Sequence, residues 1–199
     1  MKRGKKLKRG GKSLTHLLEL SELLVRDYRE ERLEGPSLRA GGVVVRLVGE
    51  VLLIRGTDEP RDWGVYNLRF FPLSWPMEGN TRVWHRGFLH YAETVYGFAT
   101  GLLAGGKKIK IITGHSLGGA AAQIVGSSLK IKTITFGSPK PLWSSKQPTG
   151  SEYVINFCGI GDPVCYRPKW GYQRVGSTVW MKNKQHSMVA YHKENEKDG

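Results

Sequence analysis

Ser116 stands in Gly114-His115-Ser116-Leu117-Gly118, between a β-branched run ending at Thr113 and an alanine-rich run reaching Gln123. A hydroxyl at that place does nucleophilic chemistry only if a neighbour takes its proton, because serine is nearly inert at neutral pH. The five residues fit G-x-S-x-G at a junction where a strand should turn sharply into a helix. Such a turn holds the serine out on a strained backbone, and its glycines keep close-packed positions free of side chains. The helix N-terminus then aims its amides at developing negative charge. The competing reading, a phosphate-binding loop, lacks both the lysine of a P-loop and the G-x-G-x-x-G spacing.

A base and its orienting acid are expected in the chain order Ser, acid, His. Asp162, in GIGDPV, is the only aspartate between Ser116 and the C-terminal histidines. Glu152, the other carboxylate of that interval, begins the run YVINFC instead of following it, so Asp162 is favoured. Of the two histidines beyond Asp162, His186 lies in NKQHSMVAY, after a strand-like run and at the start of a helical pattern. It is the expected base, and His192 is expected at the surface. His115 adjoins the serine but points away from it across the turn, so it should pack or line the substrate pocket. His16, His85 and His90 precede the turn and fit the order poorly.

The elements that must carry these residues can be read from periodicity. Leu14, Leu17, Leu18, Ser21, Leu24, Val25 and Tyr28 recur at helical spacing, and Gly35-Pro36 closes the pattern. Residues 43–48 and 51–54 are β runs joined by Gly49-Glu50, which predicts a hairpin. Residues 55–84 have no clean period and read as a long loop with at most short structure. Phe88, Tyr91, Ala92, Val95, Ala99 and Leu102 form a second helical stripe, ended by Gly105-Gly106. Three β runs follow at 107–113, 130–136 and 153–158, with a helix over 117–129 between the first two. Strand, helix, strand is the crossover that parallel neighbours require, so a parallel α/β sheet is expected.

At 199 residues the chain is long enough for one domain with a core of its own. No apolar run approaches the roughly 20 residues needed to span a bilayer. The formal charge is +14, and seven of the positive charges lie in the first twelve residues. That glycine-spaced stretch, 1–12, reads as a disordered, solvated arm. Peripheral contact with an anionic membrane is its alternative, and contact with nucleic acid is the weaker one. Cys158 and Cys165 match neither a CxxC nor a zinc spacing, and read as free thiols, with a local disulfide as the alternative.

With these residues assembled, the chain resembles the class 3 lipases of the α/β-hydrolase superfamily, fungal-lipase-like, from its first helix to its end. The matches are IRGTDEPRDW (54–63), VWHRGFLHYAETV (83–95), ITGHSLGGAAAQ (112–123), ITFGSPKP (134–141), GIGDPVCYRP (159–168) and HSMVAY (186–191). The resemblance implies an α/β-hydrolase fold over residues 13–199: a mostly parallel central sheet flanked by helices, with an N-terminal hairpin and amphipathic helix. It implies Ser116, Asp162 and His186 as a catalytic triad forming an acyl-enzyme. The activity implied is carboxylic-ester hydrolysis of acylglycerols or related lipid esters, with no metal or organic cofactor. Phospholipase A1, small-ester esterase and acyltransferase chemistry share that triad.

The resemblance also implies an oxyanion hole built from the N–H groups of Thr57 and Leu117. It places a lid at residues 58–68, with Trp63 and Tyr66 turned to substrate, although a fixed wall would use the same residues. Phe70, Phe71, Trp75 and Trp84 are candidates for an acyl groove, with core packing as the default reading for any one of them. The segment LTHLLELSELL, broken by His16, Glu19 and Glu22, is a poor signal-peptide core. A protein of the cytoplasm, or one released by lysis, is therefore expected. A function from another class remains to be separated: a catalytically silent scaffold that binds membrane or nucleic acid. Fluorophosphonate labelling discriminates, because a silent scaffold would leave Ser116 unmodified.

Overall fold

The computed structural model describes residues 11–56, 72–74 and 83–197. The helical stripe near the N-terminus becomes α1, Gly11–Tyr28. Three short runs then lie antiparallel: β1 (Ser37–Ala40), β2 (Val43–Val48) and β3 (Val51–Arg55). Val48 faces Val51 across Gly49-Glu50, which is the expected two-residue hairpin turn. β1 was not predicted: at four residues, with most of its side chains exposed, it leaves no alternation to detect.

From β3 onward the sheet is parallel. The strands are β6 (Ile111–His115), β7 (Lys132–Phe136), β8 (Val154–Gly159) and β9 (Ser177–Met181). The order across the sheet is β1-β2-β3-β6-β7-β8-β9. A separate ribbon pairs β4 (Pro72–Ser74) with β5 (Val83–His85), which is the short structure expected inside the long connection. Helices α2 (Arg86–Ala104) and α3 (Ser116–Leu129) lead into and out of β6, and α4 (Met188–Lys197) ends the described chain. β6 starts later than its lysine-alternating run suggested. Lys110 and Ile111 both donate to the Glu50 carbonyl, so residues 107–110 run up to the sheet instead of pairing within it.

Alternation sorts each strand onto two faces. Leu52, Ile54 and Ile112 join the cluster containing Phe88, Leu89, Val95 and Ile124 of α2 and α3. Leu53 and Ile111 join Leu17, Leu20, Leu24, Met188 and Tyr191 of α1 and α4 on the opposite face. Helices therefore cover both sides, as a mostly parallel sheet requires. Each fully buried leucine contributes about 1.5–3 kcal/mol of transfer free energy. The strands' C-terminal ends all open onto one rim, where Ser116 follows β6, Gly137 follows β7, Ile160 follows β8 and Lys182 follows β9.

Candidate active site

The turn from β6 into α3 is as tight as its glycines suggested. A Cβ on Gly118 would lie 2.3 Å from the Ile54 carbonyl oxygen, and one on Gly114 would lie 2.5 Å from that of Gly118. Neither position accepts a side chain, because at Gly118 α3 crosses β3 backbone to backbone and at Gly114 the first turn of α3 folds back onto the end of β6. Ser116 pays for this closeness with φ of +56°, in the left-handed region that L residues avoid. His115, which precedes the helix in extended conformation, gives α3 no side-chain cap. The N–H of Leu117 is among the first-turn amides that have no intrahelical acceptor.

Across the rim, β8 ends at Gly159 and delivers Asp162, and the segment after β9 delivers His186. His186 Nδ1 lies 2.8 Å from Asp162 Oδ2, and His186 Nε2 lies 2.8 Å from Ser116 Oγ. A carboxylate only accepts, so Nδ1 carries the proton, Nε2 presents a lone pair, and the serine hydroxyl donates to it. The structure thus brings together the three residues expected from chain order, although 70 positions separate Ser116 from His186.

Asp162 is fully buried. Burial by itself pushes its pKa up. The hydrogen bond and charge of His186, the Tyr191 hydroxyl and the Val164 N–H more than reverse this, holding the carboxyl below the usual range. Tyr191 donates to Asp162 Oδ2 at 2.6 Å and accepts from the Gly159 N–H at 2.8 Å; Val164 N–H reaches Oδ1 at 2.9 Å. Desolvation raises the phenol's own pKa, so Tyr191 stays a donor.

His115 packs beside the site. It is 5% exposed and its ring stacks on His186 with centroids 4.8 Å apart. Its Nε2 lies 2.8 Å from the His186 carbonyl oxygen and its Nδ1 2.9 Å from the Tyr28 hydroxyl. Since a carbonyl cannot donate, Nε2 carries the hydrogen and Tyr28 donates to Nδ1. The Tyr28 oxygen in turn accepts the Gly56 N–H at 2.8 Å. One chain of bonds therefore joins the end of β3, the last residue of α1, the residue before the serine and the backbone of the expected base. Burial, then the charge of His186, lowers the His115 pKa to about 3, so the ring is neutral.

Other expectations resolve differently. His192 is only partly at the surface: its side chain is 20% exposed, and Nδ1 lies 2.9 Å from Ser21 Oγ, tying α4 to α1. Trp84 is 1% exposed and belongs to the core around α2, not to an acyl groove. Cys158 and Cys165 are both buried free thiols, without the alternative disulfide. Thr57, the 58–68 segment with Trp63 and Tyr66, and Phe70, Phe71 and Trp75 lie outside the described residues, as do positions 1–10 of the arm. Tyr28 was legible only as a member of an apolar helical stripe, and Tyr191 only as the last residue of HSMVAY. Their hydroxyls were the sole local hint of a polar task.

Among the described residues, no helix is long and apolar enough to cross a membrane. The model of a family described as Lipase (class 3) matches residues 51–164. The chain is 28% identical to the secreted mono- and diacylglycerol lipase 1 of Fusarium solani, over 66% of this chain and 43% of that one. A Saccharomyces cerevisiae relative with a lipase name is 32% identical over 45% of this chain and 35% of its own. The chain thus spans less than half the length of either relative. In three dimensions it is similar to the Rhizomucor miehei lipase in its propeptide complex, with a TM-score of 0.63 at 18% identity, over 88% and 70% of the two chains. It is likewise similar to the Lip2 lipase of Yarrowia lipolytica, with a TM-score of 0.63 at 16% identity, over 87% and 80%. At such identities the structural likeness speaks for the fold, a mostly parallel sheet flanked by helices.

Proposed function

The chain belongs to the class 3 lipase family, and from that premise we propose that it hydrolyses carboxylic esters of acylglycerols or related lipids. Ser116 is the nucleophile, His186 the base and Asp162 the acid that orients it. The observation that carries this reading is the continuous 2.8 Å pair of contacts from carboxylate to imidazole to hydroxyl. As Ser116 Oγ attacks the ester carbonyl, its proton passes to His186 Nε2, and Asp162 stabilises the resulting imidazolium. The charge on the former carbonyl oxygen falls to the N–H groups of Leu117 and Thr57. His186 Nε2–H then protonates the departing alcohol as the C–O bond breaks, leaving the acyl group on Oγ. Water repeats the sequence and releases the acid, so no metal or organic cofactor takes part.

Replacing Ser116 by Ala is expected to lower turnover of a p-nitrophenyl ester by roughly 10⁴–10⁶-fold, because the three residues act as a unit. A fluorophosphonate should label the parent protein and leave Ser116→Ala unlabelled. Undiminished hydrolysis by the variant overturns the assignment.

A further inference from the structure

The rim that follows β7, β8 and β9 also presents a surface for which the reaction itself has no use. Between positions 159 and 193 the only acidic residue is the buried Asp162, against Arg167, Lys169, Arg174, Lys182, Lys184 and Lys193. Large apolar side chains stand exposed among these charges: Trp170 (83% exposed), Ile160 (58%), Trp180 (47%) and Tyr166 (43%). Single exposed apolar residues are ordinary; a connected group is not. Tyr166 stacks on Trp180 with centroids 5.5 Å apart, and its hydroxyl donates to the Ile160 carbonyl at 2.7 Å. Ile160 is held to β9 through its N–H on the Met181 carbonyl at 2.9 Å. The Lys184 stem lies against Gly161, where an added Cβ would sit 2.8 Å from Lys184 Cβ. Trp180, Tyr166, Ile160 and Lys184 therefore run continuously from the sheet edge to within two residues of His186.

We propose that this rim docks the protein onto an anionic phospholipid surface, with Ile160, Tyr166 and Trp180 entering the interfacial layer and Lys182 and Lys184 contacting headgroups. The purpose of the surface rests on the ester-hydrolase reading, since docking there turns the Ser116 side of the sheet toward lipid. Tryptophan and tyrosine settle at membrane interfaces, and lysine stems bury their methylenes while their ammonium groups stay among the headgroups. Net charge of one sign supplies the complementarity, at about a five-fold gain in partition for each basic residue near an anionic surface. Single-stranded nucleic acid fits less well. It needs open aromatic faces for stacking, whereas the Trp180 ring already carries Tyr166 and, at 5.5 Å, the Arg174 guanidinium. The aliphatic Ile160 offers a base nothing.

The test uses full-length Ser116→Ala protein, so that binding is measured without turnover. Its partition is measured on vesicles of phosphatidylcholine alone and of phosphatidylcholine with phosphatidylglycerol in equal parts. Preference for the anionic vesicles is expected. Lys182→Gln with Lys184→Gln should lower that partition roughly 30-fold, and Ile160→Ser with Trp180→Ser roughly ten-fold. The basic arm is present in every variant, so it contributes equally to all. The same paired substitutions in protein that retains Ser116 should leave hydrolysis of a soluble p-nitrophenyl ester unchanged, showing that the fold is intact. Equal partition of both variants and the parent overturns the proposal, as does tighter, patch-dependent binding to a single-stranded oligonucleotide. Failure of the ester-hydrolase reading would instead show as undiminished turnover by Ser116→Ala, whatever the vesicles report.

Discussion

Ser116 illustrates how a single residue can be kept at a cost to stability. Its φ of +56° is comfortable for glycine and strained for any side chain, a burden of about 1–3 kcal/mol. Ser116→Gly is therefore expected to be more stable than Ser116→Ala by about 1 kcal/mol, with both expected to lose activity; urea unfolding midpoints of the two variants check this. The buried histidines make a second residue-scale prediction. His115 falls from 6.5 to about 3, and His85 from 6.5 to about 4, each first of all through desolvation. A base whose folded pKa is depressed leaves stability intact above the unfolded value. Below pH 6.5 the unfolded chain takes up protons that the folded one refuses, so stability falls until the folded pKa is reached. The two rings together should give a slope of about 2.7 kcal/mol per pH unit between roughly pH 6 and pH 4. His115→Gln should remove about half of that slope. Denaturant unfolding of parent and variant at a series of pH values measures it, and equal slopes would contradict the burial argument.

At the scale of elements, α1 is more than a cover for the sheet. Its stripe of Leu17, Leu20 and Leu24 buries one face, and its last residue, Tyr28, bridges the end of β3 to His115. Through Tyr28, α1 therefore braces the end of β3 and the backbone of His186. Tyr28→Phe removes the hydroxyl that serves Gly56 N–H and His115 Nδ1. A loss of about 1–3 kcal/mol in stability is expected. A fall in kcat larger than any change in KM should accompany it, with fluorophosphonate labelling of Ser116 retained. Steady-state kinetics beside thermal unfolding separates the two effects. An unchanged kcat in a destabilised protein would make the bridge purely structural.

For the whole molecule, charge is the property that reaches beyond the fold. Seven positive charges lie in residues 1–12, leaving +7 on the remainder. Deleting residues 1–12 should weaken binding to anionic vesicles by an amount that shrinks as salt is raised, while hydrolysis of short soluble esters stays nearly constant. Sedimentation with vesicles at low and high salt tests this. Identical binding with and without the arm marks it as a solvated tail.

The order Ser, Asp, His along the chain, the apolar β runs of β2 and β3, and the strand-helix-strand rhythm around Ser116 were all legible from residues alone. Each is a local pattern, or follows from a rule of chain order. The class 3 lipase motifs were legible for the same reason, since they are short runs whose backbone demands are met by their own glycines and turns. What only the tertiary structure decided is how distant groups share one volume. Tyr191 reaches the Asp162 carboxylate, His115 sits beneath the imidazole it adjoins only in space, His192 turns inward to Ser21, and Trp84 is taken by the core. The first three depend on helices from both ends of the chain converging on one sheet face, and the last on the helices packed against the other. Hydrogen bonds made across such separations leave no period or spacing in the sequence.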